Sequence, residues 1–213
     1  MIIKYLGNNV IEDNRLIQVL ADLVAFESVT PNSAGSLEYI EGFVTKLGAE
    51  CVYVNRNQTS NLIVTIGNGD KILAFAGHVD VVPPGDIAKW INANPYQLHI
   101  DGDLIIGRGV ADMKGAIAAF LLALEQFVAN TDLSQYKIML LLTSDEEGSA
   151  HDGTILMVDY LKQNQIQLNY CVVGEPSCVD VIGDTIKVGR RGSLTGNLVI
   201  NGKQGHIAYP HLC

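Results

Sequence analysis

Apolar positions recur at helical spacing over residues 11–27, where Leu16, Val19, Leu20, Leu23 and Val24 form one stripe. Ser28-Val29-Thr30-Pro31 breaks that pattern. A second stripe, Leu37, Ile40, Phe43, Val44 and Leu47, predicts a helix over 36–47 with Gly48 as its C-cap. Short strands are expected at 51–54 and 61–66. The turn Gly67-Asn68-Gly69-Asp70 then leads into an apolar run at 72–76 that reads as a buried strand. Residues 81–103 carry Pro83, Pro84, Gly85, Trp90 and Pro95 and are expected to form a long loop. A short strand at 104–106, an apolar helix at 113–129, a buried strand at 137–143, a helix at 153–163 and a buried strand at 170–173 follow. Strands thus alternate with helices, which predicts an α/β fold with a mixed, largely parallel sheet flanked by helices. After Ser177 the pattern shifts to strands at 186–189 and 193–201 with no helix between them. A domain boundary is therefore expected near Arg190, with 1–190 as one domain and 191–213 as the start of a second, α+β one.

Composition narrows the class of function. The chain has 213 residues, 48% of them hydrophobic, enough for a sizeable core, and a net charge of −9. That acidic balance argues against nucleic acid or an anionic membrane as partner. No apolar run approaches transmembrane length and the start lacks a signal-peptide core, so the cytoplasm is the expected location. The cysteines, Cys51, Cys171, Cys178 and Cys213, include no CxxC pair and imply no disulfide framework.

Candidate chemistry gathers where the apolar runs stop. The strand at 72–76 leads into Gly77-His78-Val79-Asp80, in which residues two apart share a side of extended chain. A Gly-rich loop, residues 107–115, carries Asp112 into a helix. Asp145, Glu146 and Glu147 follow the strand at 137–143, and Glu175 follows the one at 170–173. Singly, each has a plain reading: a helix cap for Asp112, helix-terminal charge for 145–147, a solvated loop for Glu175. Together they put several carboxylates and one imidazole on one rim, where ligands of open α/β sheets collect. Such a cluster repels itself unless a cation neutralises it, and one imidazole among carboxylates suits Zn²⁺ or a similar divalent ion. A shared carboxylate suits a pair of ions about 3.5–4 Å apart. Phosphate-binding, nucleophile-elbow, HExxH and CxxC motifs are absent, and GxGxxG is not completed.

These segments, in this order, resemble the M20 family of metallo-aminoacylases and peptidases. The resemblance rests on GHVDVVPPGD followed by Trp90, GRGVADMKG, TSDEEGSAHDGT, VVGEPS, KVGRRGSL and GKQGHIAYPH, with SVTP near the start. It implies a zinc-peptidase-like catalytic domain and a lid and dimerisation domain, as in a cytoplasmic homodimer that binds two Zn²⁺ per subunit, with Co²⁺ as a substitute. His78, Asp112 and Glu175 would hold one ion. Asp112 would bridge to a second ion held also by Glu147. Asp80 would orient His78, and Glu146 would be the general base. Arg190 and Arg191 would hold a substrate carboxylate, with Ser193 a further contact. His206 would serve the partner subunit's site, and Tyr209 would lie beside it. The implied reaction is hydrolysis of a linear amide, N-succinyl-L,L-2,6-diaminopimelate, to succinate and L,L-diaminopimelate. Other amidohydrolases of the family, such as one acting on N-acetylornithine, and a non-catalytic remnant holding one ion are the alternatives. The family supplies a late histidine for the second ion. His99, expected in a loop, His151 and His211 lie in the wrong segments for it, so a fragment of impaired activity is expected.

Overall fold

The computed structural model describes residues 2–4, 10–181, 183–189, 192, 194 and 196–212. The chain divides into two compact units, Met1–Pro176 and Ser177–Cys213. In the first, the elements are β1 (Ile2–Lys4), α1 (Val10–Ala25), α2 (Ser36–Thr45), β2 (Glu50–Tyr53), β3 (Asn61–Ile66), β4 (Lys71–His78), β5 (His99–Asp101), β6 (Leu104–Ile106), α3 (Gly115–Asn130), β7 (Tyr136–Thr143), α4 (Thr154–Gln163) and β8 (Tyr170–Val173).

Five strands form the main sheet in the order β2-β3-β7-β4-β8. β4 runs parallel to β7 and β8, whereas β3 is antiparallel to both β2 and β7. The sheet is therefore mixed, as the alternation of strands and helices predicts. Successive side chains of a strand point to opposite faces. Leu62 and Val64 of β3 and Leu140 and Leu142 of β7 accordingly pack on one face, against Leu23 and Val24 of α1 and Ile117 and Leu121 of α3. Ile63, Met139 and Leu141 face the other way, onto Met157 and Leu161 of α4. Each side chain buried there contributes about 1.5–3 kcal/mol relative to exposure. Two buried faces explain why β3 and β7 read as unbroken apolar runs rather than alternating ones.

The structure corrects several sequence expectations. His99 is not in a loop: it opens β5, which pairs with β6 across Gly102, whose φ is +57°. β6 also pairs with β1, giving a second, three-stranded sheet. β8 is not buried. It is an edge strand of the main sheet, and Tyr170, Val172 and Val173 are exposed. The described residues of 186–201 form no strand, and Val188, Leu194 and Ile200 among them are exposed. A strand needs a laddered partner, and an apolar run alone does not supply one.

In the second unit the Asp184 carboxylate accepts from the amides of Val179, Asp180 and Val181 at 2.7–3.1 Å, which closes a tight loop. Its one helical turn among the described residues is Pro210–Leu212. No helix among the described residues is long and apolar enough to cross a membrane.

Candidate metal centre

The parallel strands β4 and β7 end level with one another, since His78 pairs with Thr143, and β8 ends close by on the other side of β4. The polar residues that follow these three apolar runs therefore meet at one rim. His78, the last residue of β4, is buried, and its ring is fixed at both nitrogens. Nδ1 lies 2.9 Å from the Asp80 carbonyl oxygen and 3.5 Å from the Asp80 carboxylate. Nε2 faces Asp112 Oδ1 at 3.0 Å and Glu175 Oε1 at 3.4 Å.

Asp80 has a second task. Its fully buried carboxylate accepts from the amide of Glu146 at 3.1 Å and from that of Glu147 at 3.0 Å. One side chain thus couples the end of β4 to the loop after β7. Asp145 shapes the rest of that loop, because its carboxylate accepts from the amides of Ala150 and Asp152 at 3.2 and 3.3 Å. Asp112 arrives on an irregular turn, Val110–Lys114, entered through Gly109, whose φ is +81°. A Cβ on Gly109 would also lie 2.7 Å from Val81 Cγ1, so the turn requires glycine twice over. Lys114 is buried and donates from Nζ to the Phe26 carbonyl at 2.9 Å.

Ligand atoms of His78, Asp112 and Glu147 lie within 4.8 Å of one another, as do those of His78, Glu146 and Glu175. Beside Asp112 and Glu147 opens a cleft of about 270 Å³, lined also by Val81, Val82 and the 107–111 loop. Arg108 of that loop stacks over Trp90 at 5.1 Å, and the Trp90 indole donates to the Pro84 carbonyl at 3.0 Å. The expected residues His78, Asp80, Asp112, Glu146, Glu147 and Glu175 are thus brought together in the first unit. His206 and Tyr209 belong to the second unit, where their rings lie 5.7 Å apart. Arg190, Arg191 and Ser193 lie outside the described residues. Sequence reasoning missed the structural parts played by Ser28, Lys114 and Asp145. All three lie inside motifs quoted above, SVTP, GRGVADMKG and TSDEEGSAHDGT, but a motif names no contact.

The electrostatics follow from crowding. Burial raises the Glu147 pKa, and the Asp112 charge adds to it. For Asp80, burial also works upward, but the bond to His78 and the Glu147 amide outweigh it and hold the pKa low. Burial pushes the Lys114 ammonium down to about 7, against the pull of Asp80, and Nζ keeps a hydrogen to donate in either protonation state. For His78, burial opposes the charged ring, yet hydrogen bonds to Asp112, Asp80 and Glu175 prevail and push its pKa from 6.5 up to about 12. The folded value lies above the unfolded one. Its stabilisation is therefore complete below pH 6.5 and is lost as pH rises toward 12.

The donor set fits a divalent cation. Nδ1 is engaged by Asp80, which leaves Nε2 facing carboxylates, the arrangement that aims a histidine at a metal. Coordination requires an unprotonated Nε2, so ion uptake near pH 7 is expected to release about one proton per ion from His78. Calorimetric Zn²⁺ titrations in buffers of different ionisation enthalpy measure this directly. Heats independent of the buffer would contradict it.

Comparisons with known proteins identify the relatives of this chain. The model of peptidase family M20/M25/M40 matches residues 74–208. A succinyl-diaminopimelate desuccinylase of Alkalilimnicola ehrlichii is 43% identical over 196 residues, 92% of this chain and 52% of that protein. Its counterpart in Psychromonas ingrahamii is 44% identical over 200 residues, 94% of this chain and 53% of that protein. The chain spans about half the length of the curated relatives it matches. In fold it is similar to human carnosine dipeptidase 1, with a TM-score of 0.67 at 20% identity over 79% of this chain and 40% of that one. It is also similar to the M20 family metallo-carboxypeptidase Sso-CP2 of Sulfolobus solfataricus, with a TM-score of 0.65 at 22% identity over 76% of this chain and 37% of that one. With the match running from β4 through every segment of the acidic rim, the chain belongs to peptidase family M20/M25/M40.

Proposed function

We propose that this chain carries the cation-binding half of a desuccinylase that hydrolyses N-succinyl-L,L-2,6-diaminopimelate to succinate and L,L-diaminopimelate. The observation that carries the reading is His78 Nε2 set 3.0 Å from Asp112 and 3.4 Å from Glu175. The identity to proteins named as desuccinylases supports a succinyl amide as the substrate. His78, Asp112 and Glu175 would hold one Zn²⁺, for which Co²⁺ would substitute, and Asp112 and Glu147 would hold a second. A divalent ion bound there supplies Lewis acidity toward water and the amide carbonyl. Glu146 takes a proton from the attacking water and returns it to the departing amine. Asp80 holds the Glu146 amide and the His78 ring, so the base and the imidazole keep a fixed spacing.

In the same reading, residues 1–190 form the catalytic domain and 191–213 open the lid and dimerisation domain. Arg190 and Arg191 pair with a substrate carboxylate, a task suited to the guanidinium fork. Ser193 and Tyr209 add contacts, and His206 serves the partner subunit of a cytoplasmic homodimer. The test is succinate release by the purified chain with Zn²⁺, beside a Glu146→Gln control. Slow turnover of the succinyl substrate that disappears in Glu146→Gln is expected. Preferential turnover of N-acetylornithine, or equal turnover by the control, would contradict the reading.

A further inference from the structure

His78 and Asp112 come from segments more than thirty residues apart, and neither segment alone sets the distance between them. A third piece of chain, residues 26–31, touches both. Ser28 is fully buried, and its Oγ donates at 2.7 Å to the carbonyl of Val79, which lies between His78 and Asp80. The Ser28 carbonyl accepts from the Val81 amide at 2.8 Å, and the Thr30 amide donates to the Val81 carbonyl at 3.1 Å. Ser28 therefore grips the turn after β4 through its side chain and its main chain.

The Ser28 amide donates to the Phe26 carbonyl at 2.8 Å. The same oxygen accepts from Lys114 Nζ at 2.9 Å, and Lys114 stands two residues beyond Asp112. The segment also reaches the loop of Glu146 and Glu147, because Ser144 Oγ donates to the Pro31 carbonyl at 2.8 Å. Three separate acidic segments are thus referred to one short strap. A lysine with only 1% of its surface exposed is a costly tie between two loops, since desolvating an ammonium opposes folding. An apolar side chain of the same length would fill the space without that cost, but it could not fix the Asp112 turn to the strap.

We propose that Ser28 and Lys114 are positioning residues that set the spacing of His78 and Asp112 through the shared Phe26 carbonyl. The inference rests on the cation site proposed above. Its test is Zn²⁺ affinity, with the visible spectrum of the Co²⁺-loaded chain as a readout of ligand geometry. Lys114→Met and Ser28→Ala are each expected to weaken Zn²⁺ binding about 10–100-fold and to alter the Co²⁺ spectrum. Leu161→Ala, which loosens the opposite face of the sheet, serves as the comparison. It is expected to lower the unfolding temperature and leave both readouts as in the wild type. Lys114→Met and Ser28→Ala proteins that bind Zn²⁺ and colour with Co²⁺ as the wild type does would overturn the inference, leaving the cation site intact. A wild-type chain that takes up no ion would remove the cation site itself, and the inference with it.

Discussion

Asp80→Ala is expected to cost about 3–5 kcal/mol of folding stability, because it removes one partner of a buried charged pair. The carboxylate is fully buried, lies 3.5 Å from His78 Nδ1 and caps the amides of Glu146 and Glu147. Deleting it leaves an imidazolium facing a hole on that side and two amides without their acceptor. The loop that carries Glu146 and Glu147 then loses its tie to β4, so Zn²⁺ affinity should fall about 10–100-fold as well. Asp80→Asn keeps one acceptor oxygen and most of the shape, and it should lie between the two. Urea unfolding followed by circular dichroism gives the stability, and calorimetry gives the affinity. An Asp80→Ala protein within about 0.5 kcal/mol of wild type would show that the carboxylate is not the tie described.

The second large effect is expected from one methyl group. A Cβ on Gly77 would lie 2.3 Å from Met113 Cε and 2.8 Å from Met113 Sδ. Met113 is the flexible partner, but it is fully buried, and its sulfur accepts from the His78 amide at 3.2 Å. A Cβ on Gly174, just past the neighbouring strand β8, would likewise lie 2.7 Å from Met113 Cε, so the methyl is packed against both glycines. Gly77→Ala is therefore an overpacking change, expected to cost about 1–3 kcal/mol. It should also disturb ion binding, because Met113 follows Asp112 directly. A double-mutant cycle isolates the cause: the cost of Gly77→Ala should shrink in a Met113→Ala background. An equal cost in both backgrounds would place the strain elsewhere.

These two residues mark the limits of what a sequence discloses. The helix at 36–45 is legible because its apolar positions repeat with the helical period, and the strands at 61–66 and 170–173 because each is a short apolar run. The acidic rim is legible for a related reason. Parallel strands that end level must expose whatever follows them at one place, and in this chain His78, Glu146, Glu147 and Glu175 follow such strands. The exposure of β8 is not legible, because its apolar run is the same whether or not another layer covers it. Strands at 186–201 are overpredicted for the converse reason, since pairing is a long-range property. The burial of Lys114 is hidden too: nothing in a Gly-rich loop marks its lysine as buried, and only its contact with Phe26, 88 positions away, shows it. Asp80 gives half of itself away. Its place beside His78 is local, but its hold on Glu146 and Glu147 spans more than sixty residues.

The most direct test of the central claim, that the rim around His78 is a divalent-cation centre, is calorimetric titration of the purified chain with Zn²⁺, beside His78→Ala. The account predicts saturable uptake by the wild type and its loss in His78→Ala, because Nε2 is the one imidazole donor among the candidate ligands. Equal uptake by both proteins, or none by the wild type, would contradict it.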